Sequence, residues 1–255
     1  LLSSARIIGL TIPYCREELI EACRAAVRAN WMERCYIRPI AYIGEGGMGL
    51  DPVGCAINVA IAVWFWGEYV GAGALEHGVK VKTSSYARHH INTNMTKAKA
   101  CGSYMLFQVA RSEVRRLGYD EALLLDTNGH VAEGSVEHVF LVRKGTLVTP
   151  PLTHLLDGIT RDSVITLARE QAIEVREELF SRDYVHTADE MFFAGTGAEV
   201  TPVVSVDDRP IGGGRPGPVT KRIQTLYFDT VYGRTPNHAG WRTMVASAPH
   251  HAPAP

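Results

Sequence analysis

Between Lys97 and Phe140 the chain reads KAKACGSYMLFQVARSEVRRLGYDEALLLDTNGHVAEGSVEHVF. Met105, Leu106, Val109, Ala110, Val114 and Leu117 recur at helical spacing and build one apolar face, which Gly118 closes. EALLLD and HVAEGS then flank Asn128-Gly129, the pair that favours positive φ at both centre positions of a type I′ hairpin turn. Helix, strand, tight turn and strand therefore follow one another with almost no slack, a local α/β arrangement around which the rest of the chain has to fit.

Upstream, Leu19, Ile20, Cys23, Ala26 and Val27 mark a helix over about Glu17 to Arg28. CYIRPIAYIG is β-rich, and Pro39 restricts it to an edge or irregular strand. Gly44, Gly46, Gly47 and Gly49 form a flexible loop before AINVAIAVWFW, which reads as a buried strand. GVKVKTSS alternates Val79 and Val81 with Lys80 and Lys82, a half-buried strand. Residues 86–96 are polar and unpatterned and read as a connection. It joins a small N-terminal domain over 1–85 to a C-terminal domain over 97–245. Within the latter, Lys144-Gly145 reads as a second hairpin turn. A helix opens near Thr160 as N-cap and buries Val164, Ile165, Leu167 and Ala168. IEVREELF and EMFFAG read as strands, and Val219, Ile223, Leu226 and Val231 mark a late helix. Residues 246–255, ASAPHHAPAP, have nothing to bury and read as disordered.

The composition excludes several functions. The formal net charge of -1 gives no field for nucleic acid or an anionic membrane surface. The longest apolar run, Ala56 to Trp66, is too short to span a bilayer as a helix. Five dispersed cysteines without a C-x-x-C fit a reducing, cytoplasmic compartment. The histidine pairs at 89–90 and 250–251 have no partners at zinc spacing, so no metal is expected. No signal-peptide pattern opens the chain, and Leu1-Leu2 reads as the middle of a helix.

Chemically, a lysine amine condenses with an aldehyde, and a carboxylate opposite it keeps a pyridine nitrogen protonated. Lys99 and Glu133 make that pairing, which describes a pyridoxal 5′-phosphate (PLP) site. Residue types alone do not carry it, since a lysine at a helix start is usually a solvated surface group. Ordered motifs do. YIRP, GGMGL, WGEY, RHH, KAxxGxY, DEALLLD, EGS, TPPLTHLLDGITRDSV, ADEMFFAGTGAEVTPV and GPVTKRIQ together resemble the class IV aminotransferases, within them the branched-chain amino acid group. The resemblance runs from about Leu1 to about Trp241.

The resemblance implies a fold type IV PLP enzyme, α/β throughout, with a barrel-like sheet in its larger domain. Lys99 resembles the Schiff-base lysine, selected over Lys97 by its place five residues before Tyr104. Tyr104 resembles the tyrosine beside the cofactor's phenolic oxygen, and Glu133 the partner of the pyridine nitrogen. Ile159, Thr160 and Thr196, with Leu156 and Gly195 alongside, match the phosphate and cofactor contacts. On the substrate side stand Tyr36 and Arg38 for carboxylates, Trp66 and Tyr69 for the side-chain pocket, and Tyr104, Thr196 and Gly197. Leu50 resembles a loop residue lent to a neighbouring subunit, which implies a homodimer. The implied reaction moves an amino group from a branched-chain L-amino acid to 2-oxoglutarate. A D-amino acid or (R)-amine aminotransferase, a lyase like aminodeoxychorismate lyase, and a catalytically silent interaction protein stay open as rivals. The family continues N-terminal of Leu1, where a phosphate-binding arginine would fall.

The chain departs from the family pattern in four places. Val136 and His138 replace the usual Gly and Asn, Gly197 replaces Ala, and Gly-Ser-Tyr replaces the frequent Gly-Asn-Tyr. A β-branched Val136 disfavours a positive-φ backbone. Gly197 loosens a turn whose amides would receive a substrate carboxylate.

Overall fold

The computed structural model describes residues 1–245, so the expected disordered tail lies outside the described residues. Contacts divide the described residues into two units, Leu1–Gly67 and Glu68–Trp241, with residues 242–245 grouped with the first.

The first unit holds helices α1 (Leu2–Ile7) and α2 (Arg16–Ala29) and strands β1 (Tyr36–Ile43) and β2 (Ile57–Trp64). The strands pair antiparallel, with Tyr36 opposite Trp64 and Ile43 opposite Ile57. Pro39 is accommodated because β1 has only one paired neighbour among the described residues. The expectation of a buried strand in AINVAIAVWFW is corrected. The strand forms, but its residues alternate between half-buried and exposed, because a two-stranded sheet covers one face at most. It also stops at Trp64, so Trp66 stands just beyond it.

The second unit is built on a closed ring of strands. In chain order it comprises α3 (Ala74–His77), β3 (Val79–Thr83), α4 (Tyr104–Arg116), β4 (Glu121–Leu125), β5 (Val131–Gly134), β6 (His138–Arg143) and β7 (Thr146–Thr149). Then come α5 (Ile159–Glu170), β8 (Val175–Glu177), α6 (Arg182–Val185), β9 (Glu190–Gly195), β10 (Glu199–Val206), β11 (Arg209–Pro210) and α7 (Pro218–Val231). Strand β10 pairs with β3, β3 with β4, β4 with β5, β5 with β6, β6 with β9, and β9 back with β10. The ring leaves no free edge among these strands. Val79–Thr83, placed by the sequence reading in the range of the small domain, is a member of this ring.

Strand faces explain why the ring strands read as continuous apolar runs. On β6, Val139 and Leu141 enter the core inside the ring with Val81, Leu123 and Phe193. Their neighbours Phe140 and Val142 face outward and pack with Val164 and Ile165 of α5 and Ile223 of α7. Ala122 and Leu124 of β4 face outward onto Phe107, Ala110 and Val114 of α4. Both faces are covered, so no polar alternation survives.

The two expected turns exchange chemistry. At Lys144-Gly145 both residues have positive φ, 50° and 82°, the type I′ signature. At Asn128-Gly129 only Gly129 does, at 88°. There Gly129 N–H donates to Asp126 O at 3.1 Å and Asp126 N–H to His130 O at 2.7 Å, a longer loop in place of the expected two-residue turn. The Asp126 carboxylate organises it by accepting from the amides of Asn128 and His130, both at 2.8 Å.

Candidate active site

A bulge aims the key carboxylate. Leu124 pairs with Glu133 but Leu125 pairs with Val131, so Ala132 is an extra residue in β5. Val131 packs inside the ring, and the bulge turns Glu133 onto the outer face that Leu124 shares. His138 lies directly across from Glu133 on β6. The turns after β5 and β9 bring Gly134, His138, Gly195 and Glu199 to one end of the ring.

At that end lies a cleft lined by Arg88, Lys99, Ser103, Tyr104, Glu133 and Val136, with His138 and Leu156. Lys99, Tyr104, Glu133 and Leu156, singled out from the sequence, thus share one cavity. The Lys99 ammonium lies 5.6 Å from the centre of the Tyr104 ring. Lys97 forms an ion pair with Asp157 at 2.6 Å, half-exposed. Glu133 is buried and takes a charge-assisted hydrogen bond from Arg88 Nε. Burial raises the Glu133 carboxyl above its ordinary range, while the charges of Arg88 and Lys99 pull it back.

Arg88 was missed as a site residue, since it lies in the stretch read as a plain connection. The signal was RHH, three basic residues in an otherwise polar segment. A second missed group is the buried pair Glu121 and Glu137. Burial raises both carboxyls, and the charge of Glu121 adds to the stronger rise of Glu137. Arg111 Nε reaches Glu121 at 3.2 Å, and its guanidinium lies 4.3 Å from the Tyr69 ring centre.

Helix α5 begins at Ile159 with Gly158 as N-cap, which corrects Thr160 as the capping residue. Thr160 is buried, and its hydroxyl meets the phenol of Tyr227, leaving the first-turn amides as the polar groups at the helix end. Ile159 is exposed. Thr196, Gly197 and Ala198 make the turn between β9, which ends at Gly195, and β10. A Cβ on Gly197 would meet the Tyr69 ring at 3.6 Å, ordinary contact, so these two residues adjoin. Neither Val136 nor Gly197 has a positive φ, so the expected backbone strain at Val136 is absent.

In the first unit, Tyr36 and Arg38 share a strand face as their spacing requires. The Arg38 guanidinium lies 5.4 Å from Tyr36, 5.0 Å from Trp64 and 5.6 Å from Trp66, measured to ring centres. Leu50 and Met48 are fully exposed in the glycine loop.

The family model for amino-transferase class IV matches residues 1–206. The chain belongs to the class IV aminotransferases. A branched-chain-amino-acid aminotransferase of Pseudomonas aeruginosa is 50% identical over 245 residues, covering 96% of this chain and 80% of the relative. That of Escherichia coli is 47% identical over 244 residues, covering 95% and 79%. The crystal structure of the Escherichia coli branched-chain enzyme matches with a TM-score of 0.93 at 46% identity, covering 95% of this chain and 81% of that one. Another branched-chain amino acid aminotransferase, solved with pyridoxamine 5′-phosphate, matches at 0.91 and 44% identity, covering 95% and 80%. This class IV aminotransferase therefore has the fold type IV architecture, a mixed α/β unit around a closed six-stranded barrel, and is a transaminase like the branched-chain enzymes. Among the described residues no helix is long and apolar enough to cross a membrane.

Proposed function

We propose that the chain is a PLP-dependent transaminase that moves the amino group of a branched-chain L-amino acid to 2-oxoglutarate. The observation that carries this reading is the facing of Lys99 and buried Glu133 across one cleft. The donor set fits the cofactor. An amine suits its aldehyde, a carboxylate held by Arg88 suits its pyridine nitrogen, and the α5 amino terminus suits its phosphate. When bound, the cofactor supplies an electron sink for charge developing at the substrate Cα. Lys99 holds the cofactor and then moves the proton at Cα as base and acid. Glu133 would keep the ring nitrogen protonated, Tyr104 would serve the phenolic oxygen, and Leu156, Ile159, Thr160, Gly195 and Thr196 would hold the rest of the cofactor.

On the substrate side, the family resemblance assigns Trp66 and Tyr69 to the substrate side chain, Tyr36 to a substrate carboxylate, and Gly197 to a turn whose amides receive one. Arg38 is the group for a distal carboxylate: its guanidinium offers a planar fork to glutamate and stays stacked on aromatic rings when leucine is bound. Exposed Leu50 fits a role in a second copy's site, and hence a homodimer. Five free cysteines suit the cytoplasm.

The test is a donor panel against 2-oxoglutarate, reading the 2-oxo acid products. Leucine, isoleucine and valine are expected as the best donors, and Arg38→Ala is expected to slow glutamate far more than leucine. D-alanine as best donor, or aminodeoxychorismate cleavage, would overturn the assignment.

A further inference from the structure

We propose that His89 is a positioning residue, whose imidazole Nδ1 accepts from Arg88 and so fixes the pose in which Arg88 holds Glu133. The ring nitrogen that Glu133 serves rests on the transaminase reading, whereas the contact between His89 and Arg88 does not. Arg88 is 4% exposed, and its Nε donates to Glu133. Its Nη1 lies 3.2 Å from His89 Nδ1. A guanidinium only donates, so Nδ1 accepts, and His89 is the neutral tautomer with its proton on Nε2. Partners on two different nitrogens of one planar group fix its rotation as a single partner does not.

The surroundings hold both side chains in register. The Arg88 backbone N–H donates to Leu125 O at 2.7 Å, at the end of β4. Phe107 of α4 serves both residues: the guanidinium lies 5.1 Å from its ring centre. His89 meets the same ring edge-on, with centres 6.2 Å apart and 79° between the planes.

His89 also lines a second cavity, which shares no lining residue with the cleft of Lys99 and Glu133 and gives protons a path to the ring. Around that cavity stand His90, Asp126, His130 and His154. These, with Arg88, are the charged and titratable groups facing the imidazole, and α4 presents the uncharged Phe107. Burial first, then the charge of Arg88, hold His89 below its ordinary 6.5, so it is neutral at pH 7. Protonation puts a hydrogen on Nδ1, ends the acceptance and sets a second cation against Arg88. Acid therefore loosens the grip on Glu133.

The experiment measures by calorimetry the affinity of the full chain for PLP and for the PLP analogue with C–H in place of the ring nitrogen. Their ratio reads the contribution of Glu133, since aldehyde and phosphate are common to both. His89→Leu is expected to narrow the preference for PLP about threefold to tenfold, the range of one lost hydrogen bond. His89→Asn keeps an acceptor oxygen near the place of Nδ1 and is expected to restore most of the preference. Asparagine does not titrate, so between pH 7 and pH 5 the preference should fall further in the wild type than in His89→Asn. Titrations of the cofactor and of Glu133 are common to both chains. A ratio unchanged in His89→Leu, whether both affinities hold or fall together, would make His89 a packing residue against Phe107 and overturn the proposal. So would an acid fall that His89→Asn shares in full. A wild-type chain that takes up no PLP would sink the transaminase reading instead. Nitrogen-15 shifts of the His89 imidazole then still decide the contact: a proton on Nε2 at pH 7 supports it, and a proton on Nδ1 removes it.

Discussion

Lys97 and Lys99 are the same residue type two positions apart, and their surroundings separate them. Lys97 spends its charge on Asp157 at the surface, whereas Lys99 lines the cleft and its charge reaches Glu133. Lys99→Ala is expected to abolish the visible absorbance of bound PLP, and Lys97→Ala to leave it. An unchanged spectrum in the Lys99 variant would remove Lys99 from the site. Lys99, Tyr104, Glu133 and Leu156 were legible because each sits inside an ordered motif. Arg88 sits in the RHH motif but was not read as a site residue, because a single arginine in a polar segment leaves no periodic trace of its burial. Glu121 opens an apolar strand and reads as its hydrophilic boundary, yet both faces of that strand are covered and it is wholly buried.

Elements were legible in type and less so in their ends. Helices α2, α4 and α7 fall where apolar spacing puts them. Strand β8 shrinks to Val175–Glu177 from the longer IEVREELF, and α5 starts at Ile159 because Gly158 takes the cap. No local pattern announces the bulge at Ala132, since it depends on how β4 and β5 register. Nor does anything in PVTKRIQ show what caps α7, because the cap comes from another strand. Glu190 on β9 accepts from Val219 N–H at 3.0 Å and Thr220 N–H at 2.7 Å. Gly217 makes room, as a Cβ there would lie 2.1 Å from the Glu190 carboxyl carbon. Glu190→Ala strips the cap from buried amides and is expected to cost about 1–3 kcal/mol, read from urea unfolding. Gly217→Ala should cost a similar amount by expelling the carboxylate. A loss below about 0.5 kcal/mol in both would show that water caps the helix equally well.

At the scale of the whole molecule, the burial of titratable groups sets how stability responds to pH. His89, His138, His154 and His186 are all lowered, by burial first, so they are neutral in the fold. Depressed histidines contribute stability above their unfolded value, near 6.5, that is lost as pH falls toward the folded value. Glu121, Glu133 and Glu137 act in the opposite sense. Glu137 is raised well above 4.5 by burial and by Glu121, against the amide of Val136 and the charge of Arg111, with Glu133 adding to the rise. A raised carboxyl binds its proton more tightly folded than unfolded. Its stability contribution is therefore complete below the unfolded value and is lost as pH rises toward the folded one. Glu137→Gln replaces a protonated acid with a neutral amide of the same shape and cannot lose a proton. The variant is expected to match the wild type near pH 5 and to gain on it as pH rises, at most about 1.4 kcal/mol for each pH unit. Urea unfolding of both chains from pH 5 to pH 9 supplies the comparison. The histidine contributions are common to both and cancel in the difference. A difference independent of pH would mean that Glu137 is already charged in the fold, with Arg111 balancing two carboxylates.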